Sequence, residues 1–582
     1  QRIGTRYTLY QFDMLGENRH IYDGATMNGE VSAKNDNRLY YINTNSKSYQ
    51  ANFTVNYTRK FGDHDISGLF SIEKSEAESS AQDVRRGDPI LSTNGQFNSA
   101  FGEIEGDTKA YESGALSYIG RFNYAYQDKY LAEFLFRTDA STKFAPENYW
   151  GKFYSGSVGW IISEEDFFKS KGVDFLKLRY SFGLLGKDDT GAWLWRQRYT
   201  TQNGKGAVFG GDENVSMGMK MEKSPNRDAT WSDEFKNNIG VDARFLDNRL
   251  STTLEGFFNK STHILKERVS NVPVTVGGSI AAENFAAMDM FGIEIGAGWN
   301  DEIGTDFRYG VDVRFNWYDN KVHIDDFNEA DLLKPWGPHP EQSSDYGVWG
   351  WDYLGMFKTQ ADVDAYVSQY NITQVFETDA KDLKPGMLYY RDVRGPLQAD
   401  GTFAGPDGII DDFDQIKLAN KASNHYGFGM TLRAAYKSLS FSCVISGSFG
   451  GWAEFDGNSR KKMNNDIGRV YESRPAFWSD IYDPDLNPTG YYPNPNWEDI
   501  SLNPTSEFWR VSAFRMQMRS FNINYNLPKR LADAIKVSNA RIYLTALNPM
   551  TFYNPFDFKD ADMAYDSYPN LRTYSLGLNL TF

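Results

Sequence analysis

Residues 291–320 read FGIEIGAGWNDEIGTDFRYGVDVRFNWYDN. Phe291, Ile293, Ile295, Ala297 and Trp299 alternate with Gly292, Glu294, Gly296 and Gly298. Beyond NDEIGTD, Phe307, Tyr309, Val311, Val313, Phe315 and Trp317 alternate with Arg308, Gly310, Asp312, Arg314 and Asn316. A period of two describes a strand with one apolar and one polar face. Both runs are longer than the five or six residues usual for a soluble strand. Charge and glycine share the polar face, and the short NDEIGTD segment joins two antiparallel strands.

The same form recurs along the chain. RFNYAYQDKYLAEFLFR turns at Gln127-Asp128-Lys129, with Phe122, Tyr124, Tyr126, Phe134 and Phe136 on one face and Glu133 and Arg137 opposite. IGVDARFLDNRLSTTLEGFF turns near Asp247-Asn248, and MTLRAAYKSLSFSCVIS at Lys437-Ser438. Asn, Asp and Lys at such tips are ordinary turn chemistry. The connections are unequal. Short turns follow residues near 60, 126, 246, 299 and 437, and the segment at 164–174 falls on the short side. Long polar stretches lie near 13–47, 77–113, 186–235, 321–424 and 450–507. Short and long alternate, which is the rule of barrels with short periplasmic turns and long extracellular loops. About sixteen spanning strands result, provided WLWRQRY lies inside the 186–235 excursion. With that parity the last strand, LRTYSLGLNLTF, runs toward the periplasm and ends on Phe582.

The apolar faces could meet a second sheet in a soluble protein or lipid in a barrel. Composition favours lipid. Aromatic content is 16% while mean hydropathy is −0.57 and net charge −16. A wet lumen and polar loops around an aromatic-girdled belt give that combination. No apolar run approaches the roughly 18 residues of a membrane helix, whereas a barrel strand needs only about 9–11. The expected fold class is therefore all-β, a transmembrane antiparallel β-barrel whose closed ladder leaves no unpaired edge in lipid. Cys443, the single cysteine, shares a strand face with Phe441 and Ile445 and reads as a small apolar filler. The acidic balance and the lack of a basic cluster argue against nucleic acid.

Several blocks resemble the SusC/RagA family of TonB-linked outer-membrane transporters. They are SVGWIISEEDFFK with FLKLRYSFGLLGKDD, WSDEFKNNIGVDARFLDNRLSTTLEGFFNKST, FRMQMRSFNINYNLPKRL with NARIYLTALNPMTF, and the closing YPNLRTYSLGLNLTF. They run in family order from about residue 114 to 582. The resemblance implies a barrel of roughly 22 strands around a plug. The plug, the TonB box and about six strands have no counterpart here, and QRIGTRYTLYQF already reads as a strand. Residues 1–582 are thus expected to be the C-terminal part of a transmembrane barrel. The resemblance further implies a bacterial outer-membrane location and import of a bulky oligosaccharide or oligopeptide. Its implied partners are a SusD-like surface lipoprotein as lid, TonB acting through the plug, and a second such pair in a dimer. Phe582 would be the barrel-terminal signal read by the insertion machinery. No cofactor is required.

Two sets of residues carry candidate sites. GPDGIIDDFDQ reads either as a calcium loop or as an acidic solvated turn. In the first reading Asp407, the Ile409 carbonyl, Asp411 and Asp414 supply oxygens, Ile410 is the apolar anchor, and Asp392 or Asp400 compensate for Phe403 and Gly405 at early positions. Trp193, Trp195, Trp336, Trp349 and Trp351 fall in long loops, where flat aromatic faces suit sugar rings or peptide side chains. Loop packing is the competing reading. Trp299 and Trp317, near strand ends, read as girdle residues.

Enzymatic readings find little support. The six histidines (20, 64, 263, 323, 339 and 425) are scattered without H-E-x-x-H, and no G-x-S-x-G elbow or Walker loop occurs. The alternatives to nutrient import are TonB-linked uptake of an iron chelate or vitamin, and a surface barrel adhesin without transport.

Overall fold

Among the described residues, sixteen strands follow one another in a single antiparallel ladder in the computed structural model. The structure describes residues 2–582 apart from 11–37, 88–96, 169, 171, 203–204, 209–214, 216, 269–278, 456–459, 461–475, 495–503, 562 and 564–569. In chain order the strands are β1 (Arg2–Tyr10), β2 (Arg38–Phe61), β3 (His64–Gly87), β4 (Ile104–Tyr126), β5 (Tyr130–Ser141), β6 (Trp150–Ile161), β7 (Val173–Lys187) and β8 (Ser232–Phe245). They continue as β9 (Leu250–Lys266), β10 (Glu283–Ile303), β11 (Phe307–Ile324), β12 (Tyr426–Tyr436), β13 (Leu439–Phe449), β14 (Arg515–Asn526), β15 (Asn539–Tyr553) and β16 (Thr573–Thr581). Each pairs with its sequence neighbours, and β1 and β16 are the ladder's outer strands.

Register carries one face through the sheet, because residues directly opposite in an antiparallel pair point the same way. Starting from Ile293 in β10, the partners are Gly256 in β9, then Ile239 in β8, Tyr180 in β7 and Val158 in β6. In the other direction Ile293 meets Trp317, then Tyr426 and Phe449. The alternate register joins Glu294 to Glu255, Gly240 and Arg179. One face is therefore aliphatic and aromatic and the other polar, as alternation in 291–320 predicts. Ile293, Ile295 and Val313 remain about 40% exposed, a belt with no protein layer over it. Val311 shares that face, opposite Trp299 and Leu432.

Aromatic rows mark the short-turn end. Tyr126, Tyr130 and Trp160 stack across three adjacent strands at 6.3 and 6.4 Å. The turns themselves lie in the left-handed region: Gln127 and Asp128, Leu246 to Asn248, Gly304, and Lys437. Where the belt needs a ring to lie flat, glycine makes room. A Cβ on Gly120 would come within 2.1 Å of the Phe136 ring.

Three boundaries differ from the sequence reading. β3 and β4 reach Gly87 and back from Ile104, so much of 77–113 is strand rather than loop. β2 likewise begins at Arg38, inside the expected 13–47 stretch, whose first part lies outside the described residues. Asn300 to Ile303 of NDEIGTD pair with Gly310 to Phe307, leaving only Gly304 to Asp306 as the turn. The β3 and β4 extensions are largely polar on both faces, so the apolar alternation that announces a half-buried strand is missing there. WLWRQRY does lie within the β7–β8 excursion, ahead of a small hairpin of Tyr199–Gln202 with Gly218–Met221.

The long loops are not only coil. Residues 325–425 contain three small sheets, Val348–Gly350 with Ile416–Ala419, Tyr353–Met356 with Leu388–Tyr390, and Gln374–Val375 between Thr378–Asp379 and Ile409–Ile410, and a helix α1 (Gln360–Tyr370). Thr359 and Asp362 form a capping box at its start, and Asn371 ends it at φ 53°. The helix buries Val363 and Tyr366 against Phe357, Leu388, Tyr390 and Ile410. Phe477 and Trp509 from the β13–β14 loop complete this core, with Phe558 of the β15–β16 loop packed on it. Three loops thus share one hydrophobic core and form a cap at the long-loop end.

Candidate functional site

The polar face of the barrel is a wall of paired charges. Arg179 of β7 lies 3.1 Å from Asp242 of β8 and 2.5 Å from Glu255 of β9, so three strands meet at one guanidinium. Arg137 of β5 binds Asp139 at 2.7 Å and Ser117 at 3.1 Å and approaches Glu73 of β3 at 3.9 Å. Lys187 and Lys236 flank Glu234 at 3.1 and 3.5 Å. Such groups are tolerable only where water reaches them.

The cap is clamped to the wall at both its ends. Asp345 accepts the Ala422 and Ser423 amides at 2.8 Å each and lies 2.9 Å from His425 Nε2. His425 Nδ1 lies 2.7 Å from the Tyr318 carbonyl of β11, and Lys421 pairs with Asp319 at 2.7 Å. Residues at the start and finish of a 100-residue excursion are thereby joined to the strands that bound it. Sequence reading missed this clamp and the cap core. Dense aromatics between 349 and 390 were the available signal for the core, but polar pairs far apart in sequence leave none.

The five tryptophans divide into separate settings. Trp193 and Trp195 sandwich Arg196 at 4.5 and 4.7 Å, with Arg227 5.4 Å from Trp195, which is 8% exposed. Trp336 packs on Phe403 and Phe413 at 5.9 and 6.2 Å, with Arg394 5.7 Å away. Trp351 is buried in the cap core and donates through Nε1 to the Asp411 carbonyl at 2.7 Å. Trp349 pairs in register with Lys417, its indole nitrogen buried. Trp336 and Trp351 therefore converge on the acidic loop, a link the sequence does not show.

In that loop the carboxylates serve the backbone. Asp414, fully buried, accepts the Val393 and Arg394 amides through Oδ1 (2.7 and 3.1 Å) and the Asp411 amide through Oδ2 (2.9 Å). Asp411 accepts from Phe413 at 2.8 Å, Asp407 from Ile409 at 3.0 Å, and Asp392 from Gly408 at 2.6 Å. Burial pushes the Asp414 carboxyl up to about 6, against the pull of its amide bonds and with help from the Asp392 charge. Asp392 and Asp411 are also raised, burial again leading. Among the described residues no group of three or more His, Cys, Asp or Glu side chains is arranged to hold a metal ion. Phe403 and Gly405 leave the early calcium positions without side-chain oxygens. Each of these carboxylates thus accepts at least one backbone amide.

No protein-family model matches the chain. Among curated proteins it is similar to the TonB-dependent receptor P26 of Formosa agariphila, 24% identical over an alignment of length 607, gaps included, that covers 96% of this chain and 57% of that protein. It is also similar to the TonB-dependent receptor SusC of Bacteroides thetaiotaomicron, 25% identical over 80% of this chain and 44% of SusC. Among solved structures it resembles the RagAB peptide transporter, with a TM-score of 0.70 and 20% identity over 94% of this chain and 56% of that one. The chain spans about half the length of the curated relatives it matches. The structural likeness speaks to the fold, which is that of an outer-membrane barrel.

Proposed function

We propose that this chain, of the SusC/RagA type of TonB-dependent receptor, forms the wall and cap of an outer-membrane importer for a bulky oligosaccharide or oligopeptide. One observation supports the reading above others: likeness to TonB-dependent receptors runs along 96% of the chain, through the strands and the loops between them. The arrangement suits the task. A hydrated, charged wall lets a polar solute pass, while the apolar belt keeps the wall seated in lipid. The folded cap gives a SusD-like lipoprotein a defined surface to close against. Energy would enter through TonB pulling on a plug, and no bond is made or broken by this chain.

Deleting the gene and growing the strain on a panel of glycans and peptides tests the proposal. Loss of growth on one class, restored by the intact gene, supports import and names the cargo. Unchanged growth on every member contradicts it.

A further inference from the structure

Residues 341–345 of the β11–β12 loop lie back along the end of β11 as a strap. The Val322 amide donates to the Gln342 carbonyl and the Glu341 amide to the Val322 carbonyl, each at 2.7 Å. Ser343 donates through Oγ to Asp319 at 2.7 Å, and the Ser344 amide to Asn320 Oδ1 at 2.7 Å. Asp345 closes the strap on Ala422, Ser423 and His425. Residues 325–340 are pinched off as a lobe, with Asp325 held by Lys266 of β9 at its base. Trp336 stands in this lobe, against Phe403 and Phe413.

The Glu341 end of the strap is held by charge. His323 of β11 lies with Nδ1 2.6 Å from Glu341 Oε1 and Nε2 2.8 Å from Asp289 Oδ2 of β10. Lys321 takes the other Glu341 oxygen at 2.5 Å. The second Asp289 oxygen is buried and has no hydrogen-bond partner among the described residues. Both ring nitrogens of His323 therefore face carboxylates. A neutral imidazole has one N–H and one lone pair, so only the imidazolium can donate to both. Glu341 also lies at φ 64°, in the left-handed region that favours glycine. A residue with a side chain keeps such a backbone only while its surroundings hold it there.

We propose that His323 is a proton-operated latch, which holds the strap and its lobe against β11 while doubly protonated and releases the Glu341 end when it becomes neutral. His323 lies beyond Trp317 on β11, past the apolar belt. Its two carboxylates, Glu341 first and Asp289 second, raise it above the ordinary histidine value of 6.5, with desolvation opposing. The fastened strap thus holds the proton more tightly than the released one. Its hold is fully present below about pH 6.5 and is lost as pH rises through the raised value. The other end stays tied through the Ala422 and Ser423 amides, so the lobe opens from one side. The latch goes beyond the import reading and does not depend on it.

The test is amide exchange at Val322 and Glu341 in the purified full-length transporter in detergent, corrected for the intrinsic effect of pH. Between about pH 5.5 and 8.5 exchange at both should rise roughly tenfold, the worth of one charge-assisted hydrogen bond. The Phe357 amide, bonded to Met387 in the cap core, should not change. His323→Gln should lose the step and exchange fast throughout. Glu341→Gln offers the unprotonated nitrogen a donor, and it should lose the step as well, with slower exchange than His323→Gln at the higher pH. A flat wild-type profile overturns the latch. So does a step that survives in either variant, which would place the titration in another group such as His425 or Asp414. A step shared by Phe357 would mean that the whole cap loosens, and it too overturns the latch.

Discussion

Ile295 of β10 faces Phe315 of β11 directly across the ladder, and one residue along each strand Glu294 faces Asn316. The two pairs point to opposite sides of the sheet. An arginine at position 295 would enter the apolar belt near its middle, at a cost of about 2–4 kcal/mol. Glu294→Arg would place the same group on the wetted face, within about 1 kcal/mol of wild type. Urea unfolding in phospholipid vesicles should separate the two variants, with Ile295→Arg the weaker.

Trp509 is 2% exposed in the shared cap core, packed between Phe508 at 4.8 Å and Phe455 at 5.7 Å. Trp509→Ala should cost the cap about 3–5 kcal/mol through lost contacts and a cavity. Because the cap core is separate from the belt, the barrel should keep its heat-modifiable mobility in gels while residues 325–425 become protease-sensitive. Simultaneous loss of both would show that cap and barrel fold as one unit.

The Asp414 carboxyl, with a folded value of about 6, lies above the unfolded value of about 4 for aspartate. The folded cap therefore holds more protons than the unfolded cap between those values. Its contribution to stability is fully present below about pH 4 and is lost as pH rises through about 6, a change of up to roughly 3 kcal/mol. Asp392, whose charge helps raise Asp414, has a buried Oδ1 without a hydrogen-bond partner. Corrected amide exchange at Val393, Arg394 and Asp411 should slow when pH falls from 7 to 5, and Asp414→Asn should abolish that response. The same response with calcium or with chelator is expected from a turn stapled by amides; dependence on calcium would support the metal reading.

Asp345 gathers the Ala422 and Ser423 amides and His425 at one end of the cap. Asp345→Ala leaves those donors without their acceptor, at about 1–3 kcal/mol. Hydrogen exchange should rise at residues 421–425, with the belt strands unchanged.

Much of the barrel was legible because lipid imposes a simple code. Where one face meets hydrocarbon, as at Ile293 to Trp299, period two is unavoidable and the strand declares itself. The turns at Gln127-Asp128 and Lys437 were legible for the same reason, as polar punctuation between apolar runs. β3 and β4 were cut short in the sequence reading because beyond the belt both faces are wet. Their extensions are held by ladder bonds that no side-chain pattern reports. The cap was illegible for another reason: Trp351, Tyr390, Phe477 and Trp509 meet across up to 158 residues of sequence, and their contacts follow no period. Of the candidate sites, sequence located the acidic loop and the tryptophans but not that Trp351 and Asp411 join them.

The central claim is that the alternate apolar positions point at hydrocarbon and their neighbours at water. Its most direct test is nitroxide scanning of positions 291–299 and 311–317 in a Cys443→Ser background, in the membrane-embedded protein. Accessibility to oxygen and to a water-soluble nickel chelate should alternate with period two and opposite phase. Oxygen should be high at 293, 295, 313 and 315, and the chelate high at 294, 296, 312 and 314. Inverted phase, or uniform access to the chelate, would contradict the account.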